Sequence, residues 1–399
     1  MSSIILIKLL IMKWLRNIIE IWAYEMKCAL FDEGVIVFFI IVPLLYPLLY
    51  AYLYSNEVVR EVPTVVVDNS HSQMSREFLR RVDATADVQI VSHCDNIEEA
   101  QEMVHHRDAY CLIYIPKEFE KDIAEMRQTT VELYSDMSGL LYYKAVLSSC
   151  TEVSLDMNKE IKASRRPGAT EQQISAFQYP IEYKYVPMFN TQSGFASFII
   201  PAVLMLIIQQ TMVLGVGMMA GEEREKVRKH IAEPHIIGKR PIEVLFGKST
   251  TIFTIYSIVT VYLVCIVPMI FDLIHIWRWH TLLAFMVPYL LSCIFFSITV
   301  SAFAHDRESF IVMFVFMSVP LLFASGISWP ASNIPIFWKG FSWLFPSTFG
   351  INGFVRISSM GATLADVQYE LNALWIQTFA FFVMSYIVYK RTYGKQLWA

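Results

Sequence analysis

Long apolar runs without ionisable side chains recur along the chain. Six such runs hold no Asp, Glu, Lys or Arg, and about 20 apolar residues suffice for an α-helix to cross the hydrocarbon core of a bilayer. A helix also satisfies its own backbone hydrogen bonds there. The pattern predicts six transmembrane helices, at Val35–Tyr54, Ser193–Ala220, Ser249–Phe271, Thr281–Ala304, Phe310–Trp329 and Leu371–Tyr389.

Residues 1–34 precede the first run and have a helical amphipathic pattern. At 100° per residue, five polar side chains share one arc and an apolar stripe lies opposite, which predicts a helix lying in the cytoplasmic membrane interface. A seventh span is the alternative, but central charges would each cost about 2.5–3.5 kcal/mol. The arc holds Lys13, Arg16, Asn17, Glu20 and Lys27, the stripe holds Trp14, Ile18, Ile21 and Trp22, and Glu25 falls outside the arc.

Lys and Arg side chains near the span ends predict the orientation. With a cytoplasmic N-terminus, the inner segments hold fifteen of them and the short outer loops hold Arg278, Lys339 and Arg356. Because cytoplasmic loops are enriched in Lys and Arg, both termini are expected in the cytoplasm. The expected location is a cell membrane, with the bacterial cytoplasmic (inner) membrane favoured.

Residues 55–192 form a long polar stretch that this orientation places outside the cytoplasm. They contain 22 acidic and 14 basic side chains, and strand-like runs alternate with helical ones. That order predicts an extracytoplasmic α/β domain with a small open sheet, inserted into the helical membrane protein. The strands are expected at Thr64–Val67, Val88–Val91, Tyr110–Ile115 and Val131–Tyr134, and the helices near Ser75–Arg81, Asn96–Val104, Lys117–Met126 and Leu140–Lys162.

Composition and missing motifs narrow the function. A 55% apolar chain with 17% charged residues makes a purely soluble protein improbable, and a net charge of −4 gives no reason to expect nucleic acid as a partner. No catalytic residue, metal site or cofactor is predicted for this chain. Gly247-Lys248-Ser249 imitates the end of a phosphate-binding loop, but position 242 is Ile where that motif requires Gly. Because the predicted spans are free of charge, the energy source should lie in another subunit.

Two local stretches carry a family resemblance. One begins after the second run with an acidic-basic cluster, Glu222, Glu223, Arg224, Glu225 and Lys226. The other lies between the last two runs and is rich in Pro, Gly and aromatic residues, among them Pro330, Pro335, Trp338, Pro346 and Gly350. With the predicted order of spans, they resemble the membrane (permease) subunit of type-2 ATP-binding-cassette exporters with a large extracytoplasmic insertion between the first two spans.

The resemblance implies roles for both stretches. In 193–399, a five-helix transmembrane region, the loop 221–248 would couple to a cytoplasmic ATPase, and the segment 329–356 would form re-entrant helices in the outer leaflet. The partner ATPase would bind ATP and Mg²⁺, and a second permease copy or paralogue and membrane lipid complete the expected partners. From the residues alone, each stretch has an alternative: the loop 221–248 could be a solvated loop, and the segment 329–356 a simple aromatic anchor at the interface.

The resulting hypothesis is a permease subunit that exports an amphipathic or hydrophobic substrate, such as a drug or lipid, using a separate ATPase. Gln209, Gln210 and Thr211 are candidates for the translocation path, with hydrogen bonding between helices as the alternative. A non-transporting sensor or scaffold with an outer ligand-binding domain is the second hypothesis. A lipid-modifying transferase is the third, since Asp272 and His275 lie close in sequence.

Overall fold

The computed structural model describes residues 2–164, 170, 173, 186, 188–191, 194–228, 238–303 and 307–393. Its contacts divide the chain into a membrane unit, Met1–Glu57 with Pro187–Ala399, and an α/β unit, Val58–Val186. In chain order the elements are α1 (Ser2–Phe31), α2 (Glu33–Leu53), β1 (Val62–Asp68), α3 (Gln73–Asp83), β2 (Val88–His93), α4 (Ile97–His105), β3 (Cys111–Ile115), α5 (Phe119–Ala124), β4 (Glu132–Ser135), α6 (Leu140–Ser164), α7 (Phe195–Arg228), α8 (Pro241–Ile270), α9 (Trp279–Ser301), α10 (Arg307–Val315), α11 (Ser318–Ala324), α12 (Ile336–Ser342), α13 (Pro346–Met360) and α14 (Gln368–Tyr393).

Helix α7 is the central helix of the membrane unit. It packs against α2, α8, α9, α10 and α13, and its apolar stretch is buried throughout. Two glycines permit this close packing, because a Cβ atom on Gly215 would overlap the ring of Phe39 and one on Gly217 would overlap the ring of Phe310. Glycine therefore brings α2 and α10 directly against the α7 backbone.

Five helices of the described chain are long and apolar enough to cross a membrane: α2, α7, α8, α9 and α14. The remaining predicted span, Phe310–Trp329, is not one helix but the two short helices α10 and α11. Phe316 and Met317 form a turn between them, and Pro320 lies in the first turn of α11, where proline is tolerated. The prediction of a continuous span there is wrong, because the break lies inside an apolar run and mean hydropathy does not detect it.

Helix α1 packs along α8 through the apolar stripe that its pattern predicts. Ile21 is fully buried against Gly247, where a Cβ atom would overlap its side chain, and the Trp14 ring lies 5.9 Å from the Phe246 ring. A separate set of apolar side chains on α1 is exposed: Ile11, Met12, Leu15 and Ile19. The predicted stripe therefore contacts protein.

The predicted coupling loop 221–248 begins and ends in helix in the structure. Helix α7 continues through Arg228, and α8 begins at Pro241. The charged start of this range is helical because Glu, Arg and Lys continue a helix well. The coupling role of the range stays a prediction. Lys226 supports the added turns by pairing with Glu222 at 2.7 Å. Residues 229–237 lie outside the described part of the chain.

The α/β unit contains a four-stranded mixed sheet in the order β2-β1-β3-β4. Strand β1 pairs parallel with β2 and β3, and β3 pairs antiparallel with β4. Helices α3 and α6 cover one face, where Phe78 and Val153 join the core, and α4 covers the other through Ala100. The four strand-like runs agree with the strands to within two residues. Most of residues 165–192 lie outside the described chain.

Candidate coupling site

Adjacent carboxylates near the end of α7 pair with different helices. Glu222 forms an ion pair with Arg307 at the start of α10, whereas Glu223 forms one with Lys248 in α8. Successive residues of a helix point about 100° apart, so one turn of α7 can reach two neighbours. The end of α7 is therefore tied to both α8 and α10.

Lys248 is the centre of a buried charge cluster. Its Nζ lies 3.4 Å from Glu25 Oε1 in α1 and pairs with Glu223. The side chains of Lys248, Glu25 and Glu223 are only 6%, 3% and 15% exposed. A buried charge is tolerated when it is paired, so these three groups require one another. The aromatic ring of Tyr389 in α14 lies 5.9 Å from the ammonium group.

Arg307 joins a second cluster. Its Nη2 lies 3.0 Å from Asp32 Oδ2, and Asp32 caps α2 by accepting hydrogen bonds from the N–H groups of Gly34 and Val35 at 3.1 and 3.0 Å. Partial burial opposes ionisation of Asp32. Hydrogen bonds from Val35 and the Arg307 guanidinium outweigh it and hold the pKa of Asp32 below its usual value. The start of α2 is thus linked to the start of α10.

Helix α1 also contacts the start of α8 through polar groups. Lys239 Nζ lies 3.0 Å from Glu20 Oε2, and this hydrogen bond and charge lower the pKa of Glu20. Asn17 donates to Glu243 Oε2 at 3.1 Å. Glu243 also accepts from the Arg240 N–H at 3.0 Å, which satisfies a backbone donor where α8 begins.

The structure divides the five predicted coupling residues into two groups. Glu222, Glu223 and Lys226 belong to the ion-pair network, and Arg224 and Glu225 are half-buried on the same turns. Sequence reasoning missed four partners: Glu25, Asp32, Lys248 and Arg307. Two of them did leave signals, since Glu25 is outside the polar arc of α1 and Lys248 directly precedes a charge-free run.

The candidate path residues of α7 have different surroundings. Gln209 Oε1 accepts a hydrogen bond from the Ser347 N–H at 2.6 Å, which satisfies an otherwise unpaired donor at the start of α13. The hydroxyl of Tyr256 donates to Thr211 Oγ1 at 3.0 Å. Gln210 is 7% exposed, and neither of its amide atoms has a hydrogen-bond partner in the described chain. Gln209 and Thr211 therefore bond to neighbouring helices, and Gln210 does not.

The predicted re-entrant segment 329–356 contains α12 and most of α13. Pro330, Pro335 and Trp338 are exposed, whereas Pro346 and Gly350 are buried. A Cβ atom on Gly350 would overlap the ring of Tyr289, so only glycine allows this contact between α13 and α9. Insertion of the two helices into the outer leaflet stays a prediction.

The described residues that were candidates for catalysis or metal binding, Asp272 and His275, do not form a site together. The His275 ring bonds the Leu273 carbonyl at 2.7 Å, and Asp272 has a positive φ of 50° in the turn after α8. Within the described residues, no group of three or more His, Cys, Asp or Glu side chains could hold a metal ion. His230 and His235 lie outside that part of the chain.

Comparison with known families assigns the chain. The model of a family described as "ABC-2 family transporter protein" matches residues 34–387, which include α2, the α/β unit and most of α14. No curated protein matches the chain in sequence. Such a permease works with a cytoplasmic ATP-binding-cassette ATPase, as the family implies, and the sensor alternative is not favoured. This multi-pass membrane protein belongs to the ABC-2 transporter family, as an ATP-binding-cassette permease subunit.

Proposed function

We propose that this permease subunit exports an amphipathic or hydrophobic substrate from the cytoplasm or the inner leaflet, driven by separate ATPase subunits. The observation that carries the proposal is the ion-pair network at the end of α7. Glu222 and Glu223 bind Arg307 and Lys248, so a displacement of this turn would move the ends of α8 and α10 together with α7.

The ATPase would dock on the side of α7 that the network leaves accessible. Glu222 and Glu223 are committed to pairs within the chain, whereas Glu225 is half-buried and takes no part in those pairs. Paired charges across such an interface favour specificity and rapid association. Glu225 is therefore the carboxylate that we assign to docking, with Arg224 beside it.

In the proposed topology the chain crosses the membrane six times, and both termini lie in the cytoplasm. The short helices α10 and α11 would together form the fifth crossing, because a broken helix is tolerated in a membrane where protein surrounds the break. The α/β unit would then lie outside the cytoplasm, α1 at the inner interface, and α12 and α13 in the outer leaflet. A second permease copy or paralogue would complete the path.

The described α7 supports a substrate that is not an ion. Its membrane-spanning stretch has no ionisable side chain, and ion-coupled carriers generally place one near the midplane. Gln210, which is buried and has no hydrogen-bond partner in the described chain, is the polar group that we assign to the path. Its amide could hydrogen-bond a passing polar head.

Co-purification provides the test. The tagged full-length chain should bring an ATP-binding-cassette ATPase with it from its native membranes, and the complex should hydrolyse ATP. Glu225→Lys should weaken this association at least tenfold, and Glu98→Lys, an exposed change in α4, should not. The proposal fails if no nucleotide-hydrolysing partner is recovered, or if the chain alone drives uphill solute movement in vesicles.

A further inference from the structure

A groove runs along α6 in the α/β unit. Its volume is about 780 Å³, and one face of α6 lines it from Leu147 to Lys162. Fifteen residues of helix correspond to a length of about 22 Å. The groove therefore extends along about four turns of α6.

The floor of the groove is apolar, and its walls combine apolar side chains with polar ones, among them Thr151, Ser154 and Asn158. Ile113, Phe119 and Met157 form part of the floor and belong to the buried core of the unit. Leu147 and Leu155 line the side, although both are exposed on the free chain. Exposed apolar side chains in a concave site of 300–1,000 Å³ are typical of a ligand pocket.

The charged side chains that line the described groove are both basic. Residues 55–192 carry 22 acidic and 14 basic side chains, yet the described lining contains no carboxylate. Its two cations are Arg127, which already pairs with Asp122 at 3.3 Å, and Lys162. Lys162 forms no ion pair with any described residue. Among the described residues, one cation without an ion pair thus lies at one end of the groove.

Cys150 contributes apolar surface to this site. Burial raises the pKa of its thiol to about 11, so the neutral form prevails at physiological pH. A neutral thiol is a poor nucleophile and behaves as a small apolar group. The groove is therefore suited to reversible binding.

We propose that this groove binds a long-chain amphipathic carboxylate, with the hydrocarbon chain along α6 and the head group at Lys162. The length of the groove along α6 and its apolar floor fit an extended hydrocarbon chain. The positive end selects an anionic head, because a charge-assisted hydrogen bond is stronger than a neutral one.

The probe for the test is 11-(dansylamino)undecanoic acid, titrated by fluorescence against the full chain in lipid nanodiscs, with empty nanodiscs as background. We expect saturable binding that palmitate displaces. Lys162→Glu should weaken binding about tenfold, the size of one charged hydrogen bond. Lys159→Glu makes the same charge change on the same helix but outside the lining, and should change affinity less than twofold.

Two further comparisons separate groove binding from nonspecific partition. The methyl ester of the probe should bind equally to the wild type and to Lys162→Glu, because it has no charge for Lys162 to contact. Ser154→Trp should block binding, whereas Ser148→Trp, exposed on α6 outside the lining, should not. The proposal would be overturned if Lys162→Glu and Lys159→Glu weakened binding equally, or if Ser154→Trp and Ser148→Trp did. Equal affinity of the wild type for the acid and its methyl ester, or no binding above the empty-nanodisc background, would also overturn it.

This binding requires neither an ATPase nor transport, because the titration uses the permease chain alone. Loss of probe binding would leave the export proposal unchanged. Failure to recover an ATPase would, equally, leave the groove proposal unchanged.

Discussion

Lys248 Nζ lies 3.4 Å from the carboxylate of Glu25, although 223 residues separate the two in sequence and both side chains are almost fully buried. The pair joins α1 to α8, and Glu223 extends it to α7. Buried ion pairs often contribute little net stability, but removing one partner leaves an uncompensated charge. The cluster is therefore a sensitive place to test how α1 is held.

We expect Lys248→Met to destabilise the chain by about 3–5 kcal/mol, because Glu25 and Glu223 lose their cation. Adding Glu25→Gln to Lys248→Met should recover part of that loss, since one uncompensated carboxylate is removed. Thermal unfolding in nanodiscs measures both. Lys159→Met, whose partner Asp156 is exposed, is the control and should change stability by less than about 1 kcal/mol. Additive effects of Lys248→Met and Glu25→Gln would contradict the coupling.

The lowered pKa of Asp32 predicts a pH dependence of stability. A carboxyl group with a depressed pKa stabilises the folded state above its unfolded pKa, about 3.9. That stabilisation is lost as the pH falls through the pKa of Asp32 in the folded state. Asp32→Asn should thus lower the unfolding temperature at pH 7, and the difference from wild type should shrink below pH about 4.

Asparagine isolates the charge in this experiment, because it caps helices as well as aspartate does. Unfolding temperatures measured from pH 7 to pH 3 give the curve. Asp108→Asn, an exposed change away from the network, serves as the control. A wild-type-minus-variant difference that stays constant over the whole range would be incompatible with the predicted role of Asp32.

Gln209 and Gln210 are adjacent, yet opposite outcomes are expected for them. Gln209→Leu should destabilise the chain by about 1–3 kcal/mol, because the Ser347 N–H loses its acceptor. Gln210→Leu should leave stability unchanged or raise it, because its amide has no partner in the described chain. If Gln210 lies in the proposed path, that variant should also alter transport of polar-headed substrates. Equal destabilisation by the two variants would show that the two side chains have equivalent environments.

Gly350→Ala should destabilise α13 by about 1–3 kcal/mol through overpacking. Its new Cβ atom would overlap the Tyr289 ring, which cannot move freely because its hydroxyl donates to the Met205 carbonyl at 2.5 Å. Gly340→Ala in α12 meets no atom within 4 Å and should stabilise by up to about 1 kcal/mol. Unfolding temperatures of the two alanine variants provide the comparison, and a neutral Gly350→Ala would contradict the close contact.

Local patterns in the sequence were sufficient for most secondary structure. Continuous apolar runs indicated α2, α7, α8, α9 and α14, because a helix that crosses lipid must be apolar along its own length. Alternating strand and helix patterns indicated the four strands to within two residues. The order of the spans and the two family-like stretches indicated a permease subunit, in agreement with the family match.

Tertiary structure decided which charges and amides have partners. Glu25, Glu223 and Lys248 are far apart in sequence, and only the packing of α1, α7 and α8 brings them together. The break between α10 and α11 likewise lies inside a charge-free apolar run, where hydropathy does not register it. A segment can cross a membrane if its own residues are apolar, so that property can be read from one stretch of sequence. A buried charge needs an oppositely charged partner, and only the fold determines which distant residue supplies it.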